Sequence, residues 1–325
     1  MSWLELRKII RVGEKSYAVT IPKKWIQSLG LKSGDTVNLI LEKNGSICIH
    51  PSKEKSKTSI PNKVVVDSSG FNGDILSRTI MGCYVEGYDE VVLVNTKPEF
   101  TGVLNALATK LPGIVVLESP SGDITIKIAI SENMVDIEEV LTRMIRVLNL
   151  MYDYVEDYIE KNDETLAKKV LETDDELDRL YFLGLRLIKR GKGFASLTAP
   201  KYQELLDQLL LIRSIEHIGD SLDRSIRILM ENDWSKAREY MLKSFAFSRK
   251  IISDAITAYI NSDIGLTGKL LVRRREFKKM IAEIRTKFQE LQGVASELEL
   301  LSTIAMDISE LAVSKYIRNL ASSHK

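Results

Sequence analysis

The stretch from residue 131 to residue 325 sets the tightest limit on the fold. Apolar residues recur through it every three to four positions, and Pro200 is its one proline. A pattern of that period buries as helices. The joins are short and polar or glycine-containing, as at Gly191–Gly193, so neighbouring helices should run antiparallel. Six helices are predicted, over about 132–161, 163–190, 200–231, 233–262, 264–292 and 294–321. That number suggests two three-helix repeats.

Residues 63–130 alternate between the two periods. Val64–Asp67, Glu90–Asn95, Gly113–Glu118 and Ile124–Ile130 read as strands, and Phe71–Tyr84 and Phe100–Lys110 as helices. The order βαβαββ predicts a small α/β or α+β module. Gly70, Gly73 and Gly82 do not form a dinucleotide fingerprint, and there is no P-loop. Asp67, Asp74 and Asp89 are expected as caps and turn residues. Whether the module is structural or senses a small ligand stays open.

Residues 4–50 read as short strands around one helix. Pro22 suits a helix start, Gly30 a helix end, and Asn44-Gly45 a hairpin turn. The polar, proline-flanked stretch 51–62 reads as a linker. The expected domains are therefore 1–52, 63–130 and 131–321. The first is too small to bury much alone, so oligomerisation is expected.

Charge separates the head from the body. Residues 1–57 hold eleven Lys/Arg against five Asp/Glu, a net +6. The whole chain is +1, so the remainder carries about −5. A basic head on an acidic body suggests a polyanion at the head, although a solubilising surface would show the same totals. Cys48 and Cys83 form neither a metal-type pair nor a disulfide framework, and buried structural thiols are expected. No run approaches 18 apolar residues and the start has no signal-peptide core, so a soluble, cytoplasmic protein without membrane insertion is expected.

The run Arg7-Lys8-Ile9-Ile10-Arg11-Val12-Gly13-Glu14-Lys15 through Val19-Thr20-Ile21-Pro22-Lys23-Lys24-Trp25, then Leu29-Gly30-Leu31 and Gly34-Asp35, resembles the SpoVT–AbrB DNA-binding domain. The resemblance implies a homodimer whose two hairpins interleave into one small all-β barrel with a basic, DNA-binding face. It places Arg7, Lys8, Arg11, Lys15, Lys23 and Lys24 on that face. The residues themselves allow this. Val19, Ile21, Val37, Leu39, Leu41, Ile47 and Ile49 leave too much apolar strand edge for a stable monomer. A dimer axis doubles the basic cluster into a phosphate-contacting surface.

A second resemblance lies in Ile212-Arg213-Ser214-Ile215-Glu216-His217-Ile218-Gly219-Asp220-Ser221-Leu222-Asp223 and, one helix earlier, Glu172-Thr173-Asp174-Asp175-Glu176-Leu177-Asp178. Both look like PhoU-type phosphate-signalling proteins. That family's implied fold is an all-α bundle of two three-helix repeats, with metal clusters held by paired acids. Head followed by body in this order resembles archaeal phosphate-uptake regulators.

Spacing gives a physical reason for a metal. Asp174 and Asp178 are i,i+4, as are Glu216 and Asp220, and on adjacent antiparallel helices the two pairs would face one another. Four such carboxylates repel, and a cation relieves the cost. Carboxylate oxygens suit hard or borderline divalent or trivalent ions: Mg, Mn, Fe or Zn. On spacing alone the same acids could instead form a solvated face paired with Arg179, Arg213 or Arg224. His217 points about 100° away from Glu216 and is read as a packing or surface residue.

The second repeat departs from this pattern. Thr303, Asp307 and Glu310 fall where Glu216, Asp220 and Asp223 stand, and Arg275 and Lys279 near where Asp174 and Asp178 would fall. An ion pair of Asp307 or Glu310 with Arg275 or Lys279 is expected there, and at most one metal site per chain. The sequence shows no nucleophile–base pair, histidine-rich site or cofactor loop, so no enzymatic activity is expected. The functional expectation is a DNA-binding transcriptional regulator of phosphate uptake whose body binds metal. The alternative is an accessory protein for a phosphate transporter or signalling kinase, the head serving only dimerisation.

Overall fold

The computed structural model describes residues 5–41, 47–51, 63–118, 122–130, 135–190 and 199–323. The Asn44-Gly45 turn and residues 52–62 of the proposed linker lie outside them, while Pro51, expected in the linker, ends a strand. The chain divides into two compact units, Met1–Ser59 and Ile60–Lys325.

The first unit contains two antiparallel hairpins, β1 (Ile10–Val12) with β2 (Ser16–Ala18) and β3 (Val37–Leu41) with β4 (Ile47–Pro51). Between them lies one short helix, α1 (Lys23–Ser28). Gly13, at φ +72°, makes the first turn, and Gly30, at φ +67°, follows α1 where a side chain would be strained. None of the described residues of this unit is buried. Leu6, Ile9, Tyr17, Leu39, Leu41 and Ile47 are each more than two-thirds exposed. Within one chain the unit closes no core of its own.

The second unit begins with the module. Its elements are β5 (Lys63–Asp67), α2 (Gly73–Val85), β6 (Glu90–Val94), α3 (Thr101–Lys110), β7 (Ile114–Glu118) and β8 (Ile124–Ile128). The sheet order is β5-β6-β8-β7, with β5 and β6 parallel and the other pairs antiparallel. Alternate residues of β6 and β8 are buried, so one sheet face carries the core. Leu76, Ile80 and Tyr84 of α2 and Leu104 and Leu107 of α3 belong to that core.

Six long helices follow: α4 (Ile137–Lys161), α5 (Glu164–Arg190), α6 (Ala199–Glu231), α7 (Arg238–Asn261), α8 (Ile264–Lys287) and α9 (Gln292–Ser323). A capping box between Asp136 and Glu139 starts α4. Helices α4 and α7 each end on a left-handed residue, Asn162 and Ser262, and each is followed by an aspartate that bonds the next helix start. This shared punctuation marks two three-helix repeats. Packing of α4 on α7 and of α6 on α9 joins them around one apolar core.

The module is bound to the bundle by charge. Arg186 of α5 is fully buried and donates to the carbonyls of Tyr84 (2.8 Å) and Tyr88 (2.9 Å) and to Asp89 (3.0 Å). Arg190 also pairs with Asp89. Asp89 is thus an anchor, not merely the turn residue expected from sequence. Asp67 does hold a turn, accepting from the Ser69 amide and the Asn95 side chain. Neither cysteine forms a disulfide among the described residues; both are only partly buried, less enclosed than expected, and burial pushes the Cys83 thiol pKa up.

Candidate metal centre and candidate nucleic-acid interface

Helices α5 and α6 lie close because Gly219 has no side chain. A Cβ there would come within 2.3 Å of Leu177 Cδ2 and 3.0 Å of Asp174 Oδ1. The buried stripe Leu211, Ile215, Ile218, Leu222, Ile226 and Leu229 fixes the rotation of α6 and turns its acids toward α5. One carboxylate oxygen from each of Asp178, Glu216 and Asp220 then falls within 4.8 Å of the other two. Asp174, the fourth candidate, stands one turn before Asp178 on α5, in the field of Asp178, Asp223 and Asp220.

The electrostatics follow from the crowding. Burial, reinforced by Asp178, Asp223 and Asp220, pushes the Asp174 carboxyl up to about 7. Burial and then Asp220 push Glu216 up to about 7 as well. The Glu216 Oε2 atom is buried with no hydrogen-bond partner. The nearest candidate, His217 Nε2, is 3.7 Å away, beyond bonding range. Burial, then the Arg213 charge, lowers the pKa of His217, which keeps the ring neutral and unable to compensate Glu216.

Nearby cations compensate part of the charge. Arg224 pairs with Asp220 at 3.3 Å and with Glu297 of α9 at 3.1 Å, and Arg227 holds Asp223 at 2.7 Å. Arg213 instead donates to the Tyr181 hydroxyl. One cation comes from outside the bundle: Lys110, the last residue of α3, lies 2.6 Å from Asp178 Oδ2. Burial disfavours its charge, but the bond to Asp178 and the fields of Asp175 and Asp174 outweigh that and raise its pKa. Sequence reasoning missed Lys110, Gly219 and Glu297 as parts of this site. Of these, only Gly219 left a local signal, as a glycine inside a strongly helical run.

The residues fit a hard cation. The donor set is all carboxylate, one buried oxygen lacks a partner, and the space beside Asp174 is one a Cβ would fill.

The second repeat differs from the sequence expectation. Among the described residues, no ion pair within 4.0 Å joins Asp307 or Glu310 to Arg275 or Lys279. The charge felt by Asp307 is that of Arg274, against burial and Glu310, which raise its pKa. Arg275 and Lys279 are exposed. Residue 274 stands about 100° around the helix from residue 275, enough to turn one inward and the other out. The neighbouring Arg273 pairs with Asp254 of α7.

In the first unit, all six basic candidates are exposed. Arg7 pairs with Glu5, and Arg11 donates to the carbonyls of Gly13 (3.1 Å) and Glu14 (3.4 Å) across its own turn. Lys8, Lys15, Lys23 and Lys24 make no hydrogen bond or ion pair among the described residues.

Two family models match the chain. The PhoU domain matches residues 141–229, which hold all four candidate ligands, and a model described as "Antidote-toxin recognition MazE, bacterial antitoxin" matches residues 10–57. The helical part is thus PhoU-like and the N-terminal segment MazE/AbrB-like. A curated relative, the phosphate-specific transport system accessory protein PhoU homolog 1 of Thermotoga maritima, is 30% identical over 161 residues. That match covers 45% of this chain and 64% of the relative, so the chain spans just under two thirds of the relative's length. The MazE match includes Arg11, Lys15, Lys23 and Lys24 and begins after Arg7 and Lys8. No helix among the described residues is long and apolar enough to cross a membrane.

Proposed function

We propose that this protein is a cytoplasmic, DNA-binding regulator of phosphate uptake that acts by binding rather than catalysis. The observation that carries the reading is the presence, on one chain, of a basic MazE/AbrB-like head and a PhoU-like body with a converged carboxylate cluster. The head's unburied apolar residues favour a homodimer in which two copies complete one interleaved barrel. Its basic residues then face the DNA backbone from two sides. Arg11, Lys15, Lys23 and Lys24 carry most of the phosphate contact, with Arg7 and Lys8 at the margin.

In the body, Asp178, Glu216 and Asp220 hold a metal ion, with Asp174 beside them. A bound cation would supply positive charge that suits phosphate. The residues place that charge at the α5–α6 seam, and Gly219 keeps the seam narrow. A phosphate transporter or a signalling kinase is the expected protein partner of the body.

The test is binding of the full-length protein to its own upstream DNA, by fluorescence anisotropy across a salt series. Wild type should bind selectively and lose affinity steeply with salt. Lys23→Ala/Lys24→Ala and Arg7→Ala/Arg11→Ala should each weaken binding. A wild-type affinity no better than about 10⁻⁴–10⁻⁶ M would be non-specific. It would leave the head as a dimerisation unit and the protein as an accessory factor.

A further inference from the structure

The α/β module touches the bundle at several charged points, two of which differ in kind. At one, Arg186 is fully buried and bonds two carbonyls and a carboxylate of the module. No solvent ion reaches it. At the other, Lys110 offers a single ammonium to Asp178, and its side chain is 41% exposed. It also makes a cation–π contact with Phe182 of α5 at 5.8 Å. Lys110 also lines a solvent-open cleft with Pro112, Arg143, Glu172, Asp175 and Arg179, so an ion can approach beside it.

Asp178 is both the partner of Lys110 and one of the three converging carboxylates. An ammonium bonded to Asp178 and a divalent cation held by the same carboxylate would stand within a few ångström of each other. At about 4 Å two like charges repel by several kcal/mol in a half-buried setting.

We infer that Lys110 is a tethered cation that occupies the carboxylate cluster in place of metal, so that metal entry is an exchange that frees α3 from α5. The inference rests on the metal-binding reading of the cluster given above. It makes Lys110 the residue that sets the metal affinity of the site. It also gives the module a role: its α3 end reports metal occupancy while the Arg186–Asp89 anchor keeps the module attached. By linkage, whatever holds α3 down weakens metal binding by the same factor that metal weakens the α3 contact.

The test uses full-length protein and Mn²⁺ alone, with calorimetry for affinity and amide exchange of residues 101–112 for the contact. Lys110→Met should bind Mn²⁺ about tenfold or more tightly than wild type. Arg143→Met removes a positive charge from the same cleft, where Arg143 pairs, among the described residues, with Glu176 at the surface. It should stay within about twofold of wild type if the effect belongs to contact rather than general field. In wild type, Mn²⁺ should speed exchange in 101–112, and in Lys110→Met that segment should already exchange fast without metal. Equal affinity in wild type and Lys110→Met would overturn the exchange while leaving the metal site standing, and so would an Arg143→Met gain equal to that of Lys110→Met. Absence of Mn²⁺ binding in every variant would instead remove the metal reading itself, and the exchange with it. Binding by Lys110→Met where wild type binds none would be the strongest support.

Discussion

The two halves of the bundle share a scaffold and differ in charge. In the first, α5 and α6 bring Asp174, Asp178, Glu216, Asp220 and Asp223 to one seam, and Gly219 narrows it. In the second, α8 and α9 set Arg274 near Asp307, and buried Met306 stands where Gly219 stands in the first. One seam concentrates negative charge that Arg224, Arg227 and Lys110 compensate only in part. In the other, burial and Glu310 raise the Asp307 pKa against the Arg274 charge, and a buried thioether stands where the first has a bare glycine. The difference shows how a repeat can keep its fold while, among the described residues, one copy gathers a carboxylate cluster and the other does not.

The largest expected effect is on metal. Asp178→Asn or Glu216→Gln should weaken Mn²⁺ binding by about 100-fold or more, since each removes a charged donor. Asp307→Asn should leave it unchanged. Equal losses in the two repeats would erase the comparison. Next, Gly219→Ala should cost about 2 kcal/mol in denaturant unfolding, because its Cβ meets Leu177. Met306→Ala should cost a similar amount for the opposite reason, a cavity.

A third prediction concerns pH. Asp174 and Glu216 have folded pKa values of about 7, above the unfolded carboxylate range. Between about pH 4 and 7 the folded state therefore holds more protons than the unfolded state, and stability falls as pH rises. Metal-free protein should melt lower at pH 8 than at pH 5. Glu216→Gln should recover about 2 kcal/mol at pH 8, and Mn²⁺ should flatten the wild-type dependence. A melting temperature that rises over this range would contradict the crowded seam. The smallest effect belongs to the exposed bases of α8: Arg275→Ala and Lys279→Ala should each shift stability by less than about 0.5 kcal/mol.

Much of this was legible in the sequence. Period alone placed all six helices to within a few residues, except at the starts of α4 and α7 and the end of α8, where a shorter helix is bounded by a cap or a 3-10 turn. The βαβαββ order also stands in the structure. The convergence of Asp178 with Glu216 and Asp220 followed from i,i+4 spacing on neighbouring helices. What spacing could not give were contacts carried by single side chains across long separations. Lys110 meets Asp178, and Arg186 meets Asp89, from elements with no shared period. In the second repeat the expected ion pair is not formed among the described residues, and the charge that acts on Asp307 is Arg274, not Arg275, because a one-residue step turns a helical side chain about 100°.

The most direct test of the account is the metal stoichiometry of the full-length protein, measured by titration with Mn²⁺. The comparison of the two repeats predicts one tight equivalent per chain, lost in Asp178→Asn/Glu216→Gln and kept in Asp307→Asn. Two equivalents per chain, or one that survives the double substitution, would contradict it.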